Sequence, residues 1–163
     1  MEIEPYILEK LIWSDADYDL MGWHDTHVHA VTILGETSEV VLDIDYILKW
    51  VLMPPEVPGG RRYYNFWVAP ATIVFENVTD VSFRISSVWL SLDGISRSDP
   101  TATEDGQMTE WLWDLAGNIG ISGELRATGY KQYFRKQPIF IKDQAISLEQ
   151  RGGISFRRGF DEE

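Results

Sequence analysis

The chain contains no cysteine, which excludes disulfides, thiolate nucleophiles, Cys-bound zinc and iron–sulfur clusters. It is also short of bases: 14 Lys and Arg stand against 26 Asp and Glu, a net charge of −12. A surface of that sign repels phosphate backbones, so nucleic acid is not expected as a partner. No window approaches the roughly 20 apolar residues of a spanning helix, so no membrane is expected either. The start, "MEIEPYILEKLIW", has neither the basic n-region nor the apolar run of a leader, and the predicted location is cytoplasmic. P-loop and Rossmann glycine patterns are missing. So is the Gly-x-Ser-x-Gly elbow, because "ISSVW" and "GISRS" lack its glycines. Histidine is scarce too: His24, His27 and His29 all fall within "GWHDTHVHA".

What remains is well supplied for a core. The 163 residues are 44% hydrophobic, with seven each of Trp, Tyr and Phe, which suits one domain without staples. Strand signals dominate: "HVHAVTIL", "VVLDIDYILKWV", "YYNFWVAPATIVFENV", "TDVSFRISSVWLSL", "TEWLWDL" and "IGISGELRATGY". The order of these runs, without long helical periods, predicts an all-β fold, an antiparallel sandwich or barrel. Residues 5–13 read as one short N-terminal helix or an edge strand. "MPPEVPGGRR" (53–62) and "DGISRSDPTATEDGQ" (93–107) read as long loops. Pro70 marks a bulge, bend or edge. Gly120, Gly123 and Gly129 fit bulges or sharp bends. A single β-rich domain is expected over 1–158, with a frayed acidic tail at 159–163.

The histidine stretch resembles three things. "DTHVH" has the Asp-x-His-x-His form of metal-dependent amidohydrolase barrels. Such barrels need roughly 250 residues and later histidines, and none follows His29. A cupin site would place its Glu closer than Glu36 and would also need a later His. The third reading is a hairpin. In a strand alternate residues share a face. Val28, Ala30, Thr32 and Leu34 then form one row, and Val40, Leu42, Ile44, Tyr46 and Leu48 form the apolar row of the next strand. Facing these rows inward pairs Leu34 with Val40 and Thr32 with Leu42, and closes the loop over Gly35–Glu39. Asp25, His27, His29, Asp43 and Asp45 then share the other face, with His29 opposite Asp45.

Two imidazoles with carboxylates can ligate zinc, iron or manganese, and the metal set would be Asp25, His27, His29 and Asp45. The stronger reading is structural, since a histidine facing an aspartate across a sheet makes a charge-assisted hydrogen bond. His24 falls on the apolar side as a core or rim residue. The seven tryptophans are read first as core filling and second as a stacking groove. "DADYD" (15–19) lacks the glycine and bidentate Glu of a calcium loop and reads as a solvated acidic loop.

The run "MGWHDTHVHAVTI…EVVLDIDYILKWV…FWVAPATIVFENVTD", about residues 21–80, resembles a small family of bacterial proteins of unknown function. Their pattern is Trp-His-Asp-x-x-x-His-(Ala/Gly), Leu-Asp-Ile-Asp-Tyr-Ile and (Ala/Ser)-Pro-Ala-Thr-x-(Val/Ile)-Phe. The resemblance implies that Trp23, His24, Asp25, His29, Asp43, Asp45, Tyr46 and Pro70 carry the pattern. His27 stands at a variable position, which favours a scaffold of His29 with its aspartates over a two-histidine metal site. The resemblance carries no activity or cofactor.

The function expected is that of a non-catalytic binding or interaction domain, immunity-like or partner-binding, and not an enzyme. Its binding residues would be Trp23, Asp25, His29, Asp43, Asp45 and Tyr46. The alternative is a metal-binding protein or metal-dependent enzyme using a divalent ion at the His/Asp cluster. A protein partner is expected, and a homodimer is expected through "YYNFWV" read as an edge strand.

Overall fold

In the structure, a computed structural model, residues 1–161 are described. The chain order is β1 (Ile12–Ser14), a 3₁₀ helix (Asp15–Leu20), β2 (Thr26–Leu34), β3 (Glu39–Met53), β4 (Tyr63–Glu76) and β5 (Val81–Ile85). It continues through β6 (Leu90–Ala102), β7 (Thr109–Ile119), β8 (Ile121–Ala127), β9 (Gly129–Phe134), β10 (Ile139–Ile141) and α1 (Leu148–Arg151). Every strand pairing is antiparallel. The sheet runs β1-β9-β4-β3-β2-β6-β7-β8-β5, with β10 on β4. Its two arms are one piece of chain: β8 pairs β7, passes through Thr128 into β9, and β9 pairs β4. The sheet is thereby closed on itself, which removes most of its free edges. No helix among the described residues is long and apolar enough to cross a membrane.

The interior is built by alternation. Val40, Leu42, Ile44 and Tyr46 of β3 point inward opposite Phe75, Ile73, Ala71 and Ala69 of β4, so the bulkiest of these side chains meets the smallest. Trp113 is fully buried and edge-on to Tyr18 (5.9 Å) and Tyr130 (5.4 Å). Buried indoles keep hydrogen-bond partners. Trp113 Nε1 donates to the Ala127 carbonyl at 3.1 Å, and Trp23 Nε1 donates to Gln132 Oε1 at 3.0 Å. The core reading thus holds for Trp23 and Trp113, whereas Trp50 and Trp89 are exposed.

Several expectations are corrected. Residues 93–107 are not a long loop, since β6 runs on to Ala102 against β7. Its polar sequence hides a strand because Arg97 lies over the rings of Trp111 (4.5 Å) and Tyr18 (4.7 Å), doing the work of an apolar residue. Pro100 falls where the β6–β7 register slips, between Ser98 and Thr101. "YYNFWV" is not a simple edge, because it pairs β3 throughout and β10 over Phe66–Val68, so its case for a dimer falls. Pro70 sits in β4 where one neighbour, β10, gives way to the next, β9. Its carbonyl accepts from Arg135 N, so its missing N–H faces that same changeover. "DADYD" is the 3₁₀ helix, opened by a capping box in which Ser14 and Asp17 bond each other's backbone. Gly123 is not a bulge: a Cβ there would strike the Phe83 ring. The tail is held rather than frayed at Phe160, which packs on the core, and at Asp161, whose N donates to Arg135 O at 2.8 Å; residues 162–163 lie outside the described residues.

Candidate functional site

The hairpin of β2 and β3 forms, but out of the expected register by one residue from Ala30 to the loop and by two at its start, where His27 and not His29 pairs with Asp45. Leu34 pairs Glu39, Val31 pairs Leu42, and the loop is Gly35–Ser38. His29 is the cause: it is the extra residue of a bulge between Val28 and Ala30, and a bulge shifts the parity of everything beyond it. Val28 and Val31 therefore both reach the core, which strict alternation forbids. The His29–Asp45 contact nevertheless stands, with Nε2 at 2.6 Å from Asp45 Oδ2.

Asp43 and Asp45 lie on the outer face of β3, yet both are fully buried. The chain from β10 to Arg157 covers them. Asp43 accepts from Arg135 Nη2 (2.9 Å), Arg151 Nη2 (2.6 Å), Arg151 Nη1 (2.8 Å) and Ser155 N (2.9 Å). Asp45 accepts from Arg151 Nε (3.1 Å) and Ile146 N (2.8 Å) as well as His29. Arg151 completes its set by donating to the carbonyls of Gly153 and Ile44. Two carboxylates against two guanidiniums make the layer neutral, with Arg135 Nε its one buried N–H lacking a partner among the described residues. Burial pushes the Asp43 carboxyl up, and Arg151 and Arg135 overcome this to hold it below the usual carboxylate range. Burial likewise pushes the Arg151 guanidinium down, and its bond to Asp43 reverses that and raises it.

This network orients His29. A carboxylate paired with Arg151 accepts, so the proton at the His29–Asp45 contact sits on Nε2. The other nitrogen, Nδ1, has no hydrogen-bond partner among the described residues. The ring is only 10% exposed. His27 lies edge-on to His29 (4.4 Å between centroids) and stacks on Trp89 (4.0 Å). Its own Nδ1 is buried without a partner. Burial, with His29 close by, pushes His27 down to about 4. It is therefore neutral at neutral pH.

Both histidines line a cleft of about 710 Å³ between the start of β2, the Val88–Trp89 approach to β6 and the covering segment around Gln144–Ile154. Asp25 also lines it, at a left-handed backbone position (φ 58). Gln144 Nε2 and Asn118 Nδ2 each donate to Asp25 at 2.9 Å. His24 is a rim residue, exposed, edge-on to Trp50 and 3.0 Å from Asp25 through Nδ1.

Of the residues anticipated from sequence, the structure brings Asp25, His27 and His29 to the wall of this cleft. Asp45 and Asp43 stand behind it, fully buried and engaged by arginine and backbone N–H groups. Trp23 and Tyr46 do not join it, being core residues on the inner face. Among the described residues no group of three or more His, Cys, Asp or Glu can hold a metal ion. Arg135, Arg151, Trp89 and Gln144 were missed. The available signal was the pair of aspartates in a strand apolar enough to be buried, which demands cationic partners, but nothing in the sequence says which arginines supply them.

Compared with known proteins, the chain matches no protein-family model, no curated protein and no solved structure. The reading of the site rests on its geometry.

Proposed function

We propose that the protein is a non-catalytic binding domain whose ligand seats in the His27–His29 cleft. The observation that carries this is a cleft of about 710 Å³ lined by His27, whose Nδ1 is buried without a partner, and by His29 beside an exposed Trp89. A buried polar atom without a partner is costly to leave so, and a ligand that reaches it recovers that cost. A general-base role is the rival reading of any histidine–aspartate pair. Two features weigh against it. Asp45 is already neutralised by Arg151, so it orients the ring more than it stabilises an imidazolium. No serine or threonine hydroxyl bonds either histidine among the described residues. With a net charge of −12, the surface suits a basic partner and not a phosphate backbone.

The test is NMR on the full chain, following the Trp89 indole and His29 ring signals against a panel of organic cations, neutral polyols, nucleotides and basic peptides. Saturable movement of both signals, with the ligand recovered unchanged, is the expected outcome. Silence of both signals to the whole panel, or conversion of a bound compound, overturns the reading.

A further inference from the structure

We infer that the cleft takes an organic cation, an amidinium or guanidinium carried on an apolar body. The inference rests on the binding reading above and names the ligand class.

Three features converge on it. The first is the polarity of the hydrogen-bonding groups. Asp45 holds a proton of His29 on Nε2, and Nδ1 has no partner among the described residues. Gln144 turns its Nε2 to Asp25, which leaves its Oε1 as an acceptor with no donor among the described residues. The cleft therefore asks for a ligand rich in N–H or O–H donors. The second is charge. Arg135 and Arg151 are cancelled by Asp43 and Asp45. No lysine or arginine lines the cleft, and the nearby Lys142 faces Glu56 at 3.6 Å. Asp25 and Asp143 remain, so the local field is negative and an anion is disfavoured. The third is the wall. Trp89 is 53% exposed beside Val88 and Ile154, which are also exposed. His27 covers one face of the indole, and the open part of the ring is a platform for a planar cation, by stacking and by attraction to the ring quadrupole. A planar amidinium lies on the open part of Trp89 and turns its N–H fork to the acceptors of the cleft, Gln144 Oε1 and the carboxylate of Asp25. The cleft volume, about 710 Å³, exceeds such a head group and leaves room for its apolar body.

The chemistry has two sources, a free small molecule or an arginine side chain of a basic partner. The probes are benzamidine, its neutral counterpart benzamide, and a capped Ala-Arg-Ala peptide, each titrated into the full chain with the Trp89 and His29 signals followed. Benzamidine is expected to bind saturably below about 10 mM and about tenfold or more tighter than benzamide. Trp89→Ala, a change at an exposed residue, should weaken benzamidine about tenfold. Asp25→Asn, which keeps a residue at ease in the left-handed region, should weaken it several-fold. A peptide that binds more tightly than benzamidine assigns the source to a partner's arginine; a peptide that binds more weakly assigns it to a free compound. Benzamide binding as tightly as benzamidine overturns the cation inference while leaving the cleft as a binding site. Benzamidine that moves neither signal, or binds Trp89→Ala unchanged, overturns it too. Only silence to the wider panel overturns the binding reading as well.

Discussion

The two faces of β3 are both buried, by opposite means. Inward, Val40, Leu42, Ile44 and Tyr46 meet β4 and the aromatic interior. Outward, Asp43 and Asp45 meet Arg135, Arg151, His29 and two backbone N–H groups of the covering segment. An apolar contact degrades gradually when a group is lost, because neighbours relax into part of the space. A buried ionic layer does not, because removing one partner strands the charge of the other. The outer face thus gains specificity: only one placement of Arg151 satisfies both aspartates, so residues 145–155 dock in one way. That placement forms one wall of the cleft and, through Asp45, orients His29.

The largest expected effect breaks this layer. Arg151→Met leaves Asp43 and Asp45 short of their main partner and should cost about 3–5 kcal/mol in urea unfolding. Hydrogen exchange should rise over 139–161 before it rises elsewhere. A loss under about 1 kcal/mol would show that water already reaches the aspartates. On the inner face Leu42→Ala should cost about 3 kcal/mol, with exchange raised throughout the barrel rather than in the covering segment. If the two variants gave the same exchange map, the faces would not be distinct in the way described.

How legible this was depends on which face is considered. The alternation of "VVLDIDYIL" shows both rows of β3, inner and outer, because an apolar strand buried on one side by a sheet keeps period two. The same rule misplaces β2 beyond His29, since a bulge changes parity without changing composition and Val31, Ile33 and Leu34 leave the sequence apolar on either choice. The aspartates were visible as candidates, but their partners were not. Arg151 lies in "RGGISF", a stretch whose local chemistry suggests only a flexible basic loop, and its role comes from a docking across more than a hundred residues of chain. Trp89 and Gln144 share that difficulty. Trp23 and Tyr46 show the converse: they flank the site in sequence, yet strand geometry turns them to the core.

Acid separates two groups of the outer side by titration. His27 falls from 6.5 to about 4 on folding, so the unfolded chain binds its proton first as pH drops. Its contribution is intact above about 6.5 and is lost between about 6.5 and about 4, at most about 3.5 kcal/mol at about 1.4 per unit. Asp43 acts in a lower window. Its folded value lies below the usual carboxylate range, so its contribution is present above the unfolded value and lost as pH falls through the folded one. Thermal or urea unfolding at pH 7.5, 5 and 4 should therefore show a decline that begins before carboxylates titrate. His27→Phe, which keeps a ring on Trp89, should flatten the upper part of that decline. An unchanged slope in the variant would remove His27 from the account.

The smallest effect sharpens the comparison most, because it holds geometry fixed and changes burial alone. Glu39 begins the outer face of β3 and takes a two-pronged contact from Arg158, at 2.9 Å on each oxygen. Asp43 takes the same kind of contact from Arg151. The difference is that Arg158 is 39% exposed while Arg151 is fully buried. Water and salt screen the first pair, and solvent can take over either partner once the other is gone. Arg158→Ala should cost only about 0.5 kcal/mol, and about 0.5 M salt should erase most of that. The loss in Arg151→Met should survive the same salt. Parallel salt titrations of the two variants by urea unfolding read the outcome directly. If Arg158→Ala cost as much as Arg151→Met, or if salt rescued both equally, the bidentate geometry and not the burial would be what makes the outer face of β3 unforgiving.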